Sequence, residues 1–281
     1  MNIRRLVGLL RFIPDGPYLK IKYYYKMRKR LNLSNPTTFN EKIQWLKLHD
    51  RQNRYVTCVD KVKVKDYVSG IIGEKYIIPT LGTWKNFDDI DFEHLPDSFV
   101  IKTNHDSGGT FICRDKRTIN KADLREKVLR HMKYDYYLYG REWPYKNVKK
   151  MILAEKLLQE DGKAIKDYKV FCFNGEPKLI QVDIDRFTEH KRNMYDAEWN
   201  LLEFQYQYHT AEDVVIRKPD NLNEMLEISK KLAEGTKFLR VDLYVVGGNV
   251  YFGEMTFYPE SGFGRFIPDD WDDKLGRLLK L

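Results

Sequence analysis

Two acidic residues lie on one predicted face of a β-hairpin at residues 239–259. Asp242 and Glu254 belong to two runs that alternate with the period of a strand, separated by a turn from Gly247 to Asn249. A three-residue turn places the two acids directly opposite each other, with Cβ atoms about 5 Å apart, whereas a two-residue turn sends them to opposite faces. Paired carboxylates attract a cation, and Mg²⁺ binds carboxylate and phosphate oxygens. The spacing therefore predicts a magnesium site.

The same face also has a plainer interpretation. Arg240 and Thr256 share it, and Arg240 could neutralise both acids on an ordinary solvated sheet surface. The opposite face is apolar and is predicted to be core; its members are Leu239, Val241, Leu243, Val245, Tyr251, Met255 and Phe257. The residues alone leave both interpretations open.

A lysine and a glycine loop form a second candidate site. Lys102 ends a predicted buried strand, and Ser107, Gly108 and Gly109 follow in a loop before another strand. Backbone N–H groups of such a loop can surround phosphates while the lysine supplies the countercharge. The alternative is a simple hairpin turn with a lysine that reaches solvent.

Charged residues in three further segments need partners. Glu155 interrupts the apolar strand-like run MILAEKLL, and an isolated carboxylate there is unfavourable. Lys65 lies on an amphipathic helix predicted to begin at Asp60 and to end at Gly70. Lys169 is predicted to share a strand face with Asp167 and Phe171, opposite Val170 and Cys172. Arg186, Lys191 and Arg192 could bind an acidic substrate group or form a solvated loop.

The net charge of the chain is concentrated at its beginning. Residues 1–30 contain nine Lys or Arg and a single acid, Asp15, so this segment carries a charge of +8. That value equals the formal net charge of the whole chain of 281 residues. Two amphipathic helices are predicted there, one through Ile3, Leu6, Val7 and Leu10 and one from Tyr18 to Leu31. This basic arm could bind an anionic membrane or glycan, or it could pack on the body with a solvated basic face. No nucleic-acid motif accompanies the charge, so nucleic acid is not expected.

The other bulk properties limit the class of protein. A hydrophobic content of 42% supports a substantial core, and no apolar run reaches the roughly 18 residues of a membrane span. The apolar stretch after Arg5 is too short for a signal peptide. Cys58, Cys113 and Cys172 lack metal-ligand spacing and are predicted to be buried thiols. The sequence predicts a cytoplasmic protein, with possible peripheral contact at the inner face of the membrane.

The elements that position these residues can also be predicted. Thr38 and Glu41 form a capping box that opens a helix with Ile43 and Leu46 inward. Strands are predicted from Tyr76 onward, around an Asn174-Gly175 turn and in the hairpin. Helices are predicted near 121–133, at 221–234 and at the end of the chain. The fold class is α+β.

The order of these motifs resembles that of the ATP-grasp ligases, in which two α+β lobes clamp ATP. The R-x-D, glycine hairpin and E-x-T pattern looks like their metal-binding end, so the resemblance implies that Asp242 and Glu254 bind magnesium and that Arg240 steadies the transferring phosphate. It implies phosphate contacts for Lys65, Lys102 and Lys169, and a phosphate lid for Ser107, Gly108 and Gly109. It places Glu155, Lys156 and Leu158 at an adenine-binding hinge. Thr256 stands where the family usually has Asn as a further metal ligand.

Several segments look more specifically like the TupA-like branch, which is named for teichuronopeptide biosynthesis and occurs with bacterial surface-polysaccharide genes. These segments are FNEKIQWLKL, DKVKVKDYV, IKTNHDSGG, REWPYKN and DYKVFCFNG. The resemblance implies a basic helical region at 1–58 in place of the usual first subdomain. A small lobe at 59–153 and a large lobe at 154–281 follow.

The activity that the resemblance implies is ATP- and Mg²⁺-dependent carboxylate–amine ligation. A carboxylate becomes an acylphosphate and reacts with an amine, joining an amino acid to a uronic acid or to another amino acid of a capsular or other surface glycan. Two alternatives remain, a kinase that phosphorylates a glycan hydroxyl and a non-catalytic glycan or membrane adaptor.

Overall fold

The computed structural model describes residues 11–160, 165–184, 189–211 and 214–281, so the helix predicted through Ile3 and Leu10, and Arg186, lie outside the described residues. The chain forms two compact units. Unit 1 is made of Met1–Arg51 and Lys166–Leu281, and unit 2 of Gln52–Ile165. In the described ranges no helix is both long and apolar enough to cross a membrane.

The elements alternate between helices and short strands. The α-helices are α1 (Asp15–Met27), α2 (Phe39–His49), α3 (Arg54–Val59), α4 (Lys63–Ile72), α5 (Lys121–Met132), α6 (Tyr136–Gly140), α7 (Leu222–Ala233) and α8 (Asp270–Leu278). The strands are β1 (Thr80–Trp84), β2 (Phe99–Thr103), β3 (Thr110–Cys113), β4 (Ile152–Lys156), β5 (Asp167–Phe173), β6 (Glu176–Ile184), β7 (Lys191–Asp196), β8 (Gln205–Tyr206), β9 (Phe238–Val246), β10 (Asn249–Thr256) and β11 (Phe266–Ile267). Short 3₁₀ turns occur at Glu74–Tyr76, Phe87–Asp89, Lys116–Thr118, Trp143–Asn147 and Pro259–Gly262.

Unit 2 is built on an antiparallel sheet with the strand order β1-β4-β2-β3. Alternation along β2 and β4 sends Phe99, Ile101 and Ile152 into a core that also contains Val128 of α5. The same alternation turns Lys102 and Glu155 to the other face of the sheet. The core of unit 2 therefore fixes which face carries its charges.

Unit 1 is built on an antiparallel sheet with the strand order β10-β9-β5-β6-β7. One face packs on α7, where Met225 and Leu232 are buried and the Cys172 thiol lies 3.7 Å from the Ser229 carbonyl oxygen. Asp167, Lys169 and Phe171 share the other face, as predicted. This second face is apolar at one end and charged at the other.

Aromatic rings cover the apolar end of that face. Phe39 of α2 packs against Phe173 and Phe238 at ring-centroid distances of 5.8 and 5.1 Å. Phe238 is also edge-on to Phe171 at 5.9 Å. Because these rings exclude water, the charged end of the face lies beside a low-dielectric core.

Most predicted helices are present, with shifted ends. The capping box of Thr38 and Glu41 opens α2, as predicted. Helix α1 ends at Met27, before the predicted Leu31, because Arg28 adopts a left-handed conformation with φ 59°. Helix α4 continues past Gly70 to Ile72 and stops at Gly73, whose φ of 103° favours glycine. Cys58, Cys113 and Cys172 are buried free thiols, as predicted.

The compact units differ from the three segments that the sequence predicts. Residues 154–156, predicted to begin the large lobe, pair in β4 with β1 and β2 of unit 2. Of the predicted N-terminal region, 1–58, the described residues 11–51 group with unit 1 and residues 52–58 with unit 2. In unit 1, Asn40 donates from its backbone and side chain to Asp272 at 2.8 and 3.0 Å. Pairings between residues distant in the chain set these boundaries.

Candidate active site

The hairpin of β9 and β10 brings Asp242 opposite Glu254, but not through the predicted turn. Val246 pairs with Asn249, so the turn has two residues, Gly247 and Gly248. A register shift between Phe252 and Glu254 then leaves Gly253 as an extra residue, which returns the two acids to one face. The predicted pairing is thus present, while the predicted three-residue turn is wrong because the bulge supplies the extra residue.

The same bulge changes which residues of β10 face the core. Before the bulge Phe252 pairs with Leu243 and is buried, whereas Tyr251 pairs with Tyr244 and is half-buried. Directly opposed residues share a face. Tyr251 was therefore wrongly predicted to lie on the apolar face, and Phe252 takes that place.

Gly253 is required by a close backbone approach. A Cβ atom there would lie 2.8 Å from Tyr244 Cε2 and 3.0 Å from the Asp242 carbonyl oxygen. A side chain there requires the Tyr244 ring to move and crowds the Asp242 backbone, at the point where the two acids face each other. The bulge and the carboxylate pair are therefore one structural feature.

We expect Gly253→Ala to weaken binding of ATP with magnesium and to lower the free energy of unfolding by about 1–3 kcal/mol, as overpacking does. Thermal unfolding with and without ATP and magnesium measures both effects. Gly70→Ala is the matched control, because a Cβ atom there meets nothing within 4 Å inside α4. Equal effects for the two variants would contradict the role of the bulge.

Arg240 binds Asp242 with two hydrogen bonds. Its Nε donates to Oδ1 at 2.6 Å, and its Nη2 donates to Oδ2 at 2.7 Å. The same Nη2 also donates to Thr256 Oγ1 at 3.1 Å. Burial raises the pKa of Asp242 to about 6, with Asp167 adding to it and Arg240 and Lys169 opposing it. A further cation near Asp242 would favour its charged form.

A buried ion network extends the site across β5, β6 and β7. Lys169 contacts Asp167 and lies 3.0 Å from Asp183 Oδ2, while Arg192 Nε donates to Asp183 Oδ1 at 2.7 Å. Arg192 Nη1 donates to Glu260 Oε1 at 3.0 Å. Burial acts to raise the pKa of Asp183, but Lys169 and Arg192 outweigh it and hold that pKa far below its usual range.

The charges on this part of unit 1 favour a bound cation. Five carboxylates, from Asp167, Asp183, Asp242, Glu254 and Glu260, accompany the cations of Lys169, Arg192 and Arg240, and His190 Nε2 lies 3.1 Å from Asp183 Oδ1. Among the described residues no cluster of three or more His, Cys, Asp or Glu is arranged to hold a metal. Magnesium needs only one or two carboxylates, with water and phosphate oxygens completing its shell. Asp242 and Glu254 fit that requirement.

Unit 2 contains a second charged cluster around Glu155. Lys65 Nζ lies 2.6 Å from Glu155 Oε1, and Lys102 Nζ contacts Glu155 Oε2. Lys65 also donates to the Ile78 carbonyl at 2.7 Å and to Thr80 Oγ1 at 2.9 Å. Burial acts to raise the pKa of Glu155, yet the two lysines lower it overall. The partner that Glu155 requires is thus a pair of lysines.

The loop between β2 and β3 is fixed at one end and exposed at the other. Asp106 is buried, and it contacts the Thr103 hydroxyl and His131 Nδ1. A Cβ atom at Gly109 would lie 1.9 Å from Thr103 Oγ1, so this glycine is needed for packing. Ser107 and Gly108 are exposed, and Gly108 has φ 87°. The accessible part of the loop is therefore Ser107 and Gly108.

Of the three predicted hinge residues, Glu155 lies in the charged cluster, and Lys156 and Leu158 follow it in the chain. Lys156 is exposed, and its amide donates to the Pro79 carbonyl at 3.0 Å. Leu158 is half-buried beyond the end of β4. Neither side chain enters the charged cluster.

Sequence reasoning missed several residues of both clusters. It gave no role to Asp106, Asp183 or Glu260, although each is held by charged or polar partners. For Asp183 a signal existed, because it sits within the apolar strand run LIQVDI and needs a partner as Glu155 does. Arg192, weighed only as a substrate or surface residue, is buried in the network.

Comparison with known proteins gives a family match over most of the chain and similarity to several solved structures. The TupA-like ATPgrasp family model matches residues 41–280. The structure of D-alanine–D-alanine ligase from Bacillus anthracis with ATP has 16% identity and a TM-score of 0.41, covering 72% of this chain and 54% of that one. The same enzyme from Helicobacter pylori has 16% identity and a TM-score of 0.43, covering 86% of this chain and 69% of that one. The ATP-grasp ligase PsnB with minimal precursor, Mg and ADP has 10% identity and a TM-score of 0.40, covering 78% and 57%.

This chain thus spans about half the length of the first of those structures. No curated protein is significantly similar to it in sequence. The family match nevertheless includes both charged clusters and all strands of both main sheets. The chain therefore belongs to the TupA-like ATP-grasp family and has the α+β ATP-grasp fold.

Proposed function

We propose that this protein is an ATP-dependent carboxylate–amine ligase. The observation that carries the proposal is the pairing of Asp242 with Glu254 on the charged face of unit 1. Family membership supports it, since the matched residues 41–280 include the two carboxylates and the lysine–glutamate cluster. The solved structures with similar folds include enzymes named as ligases.

Unit 2 supplies cations for the nucleotide phosphates in this proposal. Lys65 and Lys102 share one carboxylate, so one unit of positive charge remains beside Glu155. That charge attracts polyphosphate, while Glu155 holds both ammonium groups in place. Ser107 and Gly108 are exposed, so their backbone N–H groups would be the donors for phosphate oxygens in this proposal, and the contacts of Asp106 hold the base of the loop.

Unit 1 supplies the metal ligands and the charge that stabilises the transferring group. Asp242 and Glu254 would hold magnesium, and Thr256 is a candidate third oxygen ligand. When bound, the metal neutralises charge on the phosphates. Arg240 and Lys169 lie on the same face, and they would stabilise the equatorial phosphoryl oxygens.

The reaction needs no covalent bond to the protein. A substrate carboxylate oxygen attacks the γ-phosphorus of ATP as the bond to the β-γ bridging oxygen breaks and ADP leaves. An amine then attacks the acyl carbon, phosphate leaves and the amine gives up a proton. Amide, ADP and free phosphate are the products, and the roles of the side chains are positional and electrostatic.

We propose further that the substrates are components of a bacterial surface or capsular polysaccharide. The family name, TupA-like, supports this assignment through its link to teichuronopeptide biosynthesis. A uronic acid or an amino acid would supply the carboxylate, and an amino acid the amine.

The proposal predicts that ADP and free phosphate form in equal amounts, and only when both a carboxylate and an amine are present. Coupled assays for each product, run with a panel of uronic acids and amino acids, measure this ratio. ADP without free phosphate on a hydroxyl acceptor would instead identify a kinase. Absence of turnover together with absence of ATP binding would identify a non-catalytic adaptor.

A further inference from the structure

Helix α1 buries only some of its apolar and aromatic residues on the face that packs against unit 1. Leu19 and Tyr23 are buried, and they pack in a small core with Leu31, Phe263 and neighbouring side chains of unit 1. This packing anchors the helix on the unit and fixes which side of it faces outward.

The outer face carries large apolar and aromatic side chains in solvent. Ile21 is 67% exposed, Tyr24 58% and Tyr25 72%. Ile21, Tyr24 and Tyr25 are spaced three and four residues apart, so they share one side of the helix. Phe12, just before the helix, is 81% exposed. Single exposed apolar residues are common, but four along one short segment indicate an interaction surface.

Basic side chains accompany these residues along α1 and directly after it. Lys20, Lys26, Arg28, Lys29 and Arg30 are all exposed. The single acid of α1, Asp15, bonds to Arg51 at 2.8 Å, and the exposed Lys29 pairs with Asp269 at 3.0 Å. The surface as a whole is therefore both apolar and strongly cationic.

We propose that this face of α1 docks on an anionic lipid bilayer. An interfacial helix places apolar and aromatic side chains at the level of the headgroups while its lysines and arginines reach the lipid phosphates. A helix of 13 residues, about 20 Å long, lies flat on such a surface. A soluble polyanion would bind the cations but would give Phe12 and Ile21 no apolar environment. Docking does not depend on the proposed ligase activity, and the two fail independently.

Sedimentation of the full chain with lipid vesicles tests the inference. Wild type is expected to bind vesicles of phosphatidylglycerol and phosphatidylcholine in equal parts, to ignore pure phosphatidylcholine, and to dissociate in about 1 M salt, where the Debye length is about 3 Å. Ile21→Gln with Tyr24→Gln and Tyr25→Gln is expected to weaken binding at least about tenfold. Lys20→Gln with Lys26→Gln and Arg28→Gln is expected to weaken it about a hundredfold, at about fivefold per basic residue.

The matched control is Leu201→Gln with Val215→Gln, two exposed apolar residues elsewhere in unit 1, which are expected to leave binding unchanged. All three variants alter exposed side chains, so their melting temperatures should equal that of wild type. Failure of wild type to bind the anionic vesicles would overturn the inference. So would unchanged binding by the Ile21, Tyr24 and Tyr25 variant, or a dimer in solution that this variant dissociates, because a second copy would then cover the face.

Discussion

Glu254→Gln is expected to abolish the magnesium-dependent stabilisation of this protein by ATP. At a hundred times its dissociation constant, a ligand adds about 2.7 kcal/mol to the free energy of unfolding. Glu254 lies opposite Asp242, and the amide of Gln carries no charge to hold a divalent cation. A metal ion contributes several kcal/mol to transition-state stabilisation, so any ligase rate should fall at least about a hundredfold. Thermal unfolding with ATP, with and without magnesium, gives the first readout.

Glu176→Gln is the control for this experiment. It is the same Glu-to-Gln substitution in unit 1. Glu176 is the first residue of β6, and its exposed side chain forms an ion pair with Lys230. It should retain the full shift with ATP and magnesium. An equal shift in wild type and Glu254→Gln would contradict the assignment of the magnesium site to this hairpin. Absence of any shift in wild type well above millimolar ATP would contradict nucleotide binding itself.

Asp183→Asn is expected to cause the largest loss of stability among single substitutions in the charged network. The Asp183 side chain is 1% exposed and accepts from Arg192 at 2.7 Å and pairs with Lys169 at 3.0 Å. Removing one partner of a buried ion pair costs about 3–5 kcal/mol because the remaining charge stays desolvated. At roughly 2–4 °C per kcal/mol, the melting temperature should fall by about 10 °C.

The pH dependence of stability provides a second signature of Asp183. Its pKa is lowered on folding, so the stabilisation from its charged form is complete above the unfolded pKa of about 3.9 and is lost as pH falls toward the folded value. Asp183→Asn should therefore lie furthest below wild type near neutral pH and approach it in acid. Glu176→Gln, on the same strand, should cost less than about 1 kcal/mol at any pH. Similar losses for both variants would show that the network is not a stability element.

Local chemistry made several features predictable. The capping box of Thr38 and Glu41 depends on four consecutive residues, and it opens α2 as predicted. Alternation along a strand depends only on its period of two, so the face shared by Asp167, Lys169 and Phe171 was also correct. The order of short motifs along the chain was enough to indicate the TupA-like ATP-grasp family, which the match to residues 41–280 then showed.

For the hairpin of β9 and β10, the sequence predicted which residues face each other but not the turn and bulge that bring them together. The sequence indicated that Asp242 and Glu254 face each other, and they do. The structure achieves this with a tighter turn and a bulge at Gly253, where a Cβ atom would lie 2.8 Å from Tyr244 Cε2. A bulge is set by contacts across strands, and neither the turn residues nor the period reveals it.

Partners were decided by tertiary structure. Lys65, Lys102 and Glu155 lie in segments far apart in the chain; the pairing of β2 with β4 brings Lys102 to Glu155, and the packing of α4 brings Lys65 to it. Asp183 and Arg192 required the pairing of β6 with β7 in the same way. The sequence by itself determined which side chains carry charge and, along a regular strand such as β5, which of them share a face, because both are local properties. Which charge meets which, and how deeply each is buried, was decided by long-range strand pairing, because such energies depend on distance and dielectric that exist only in the folded chain.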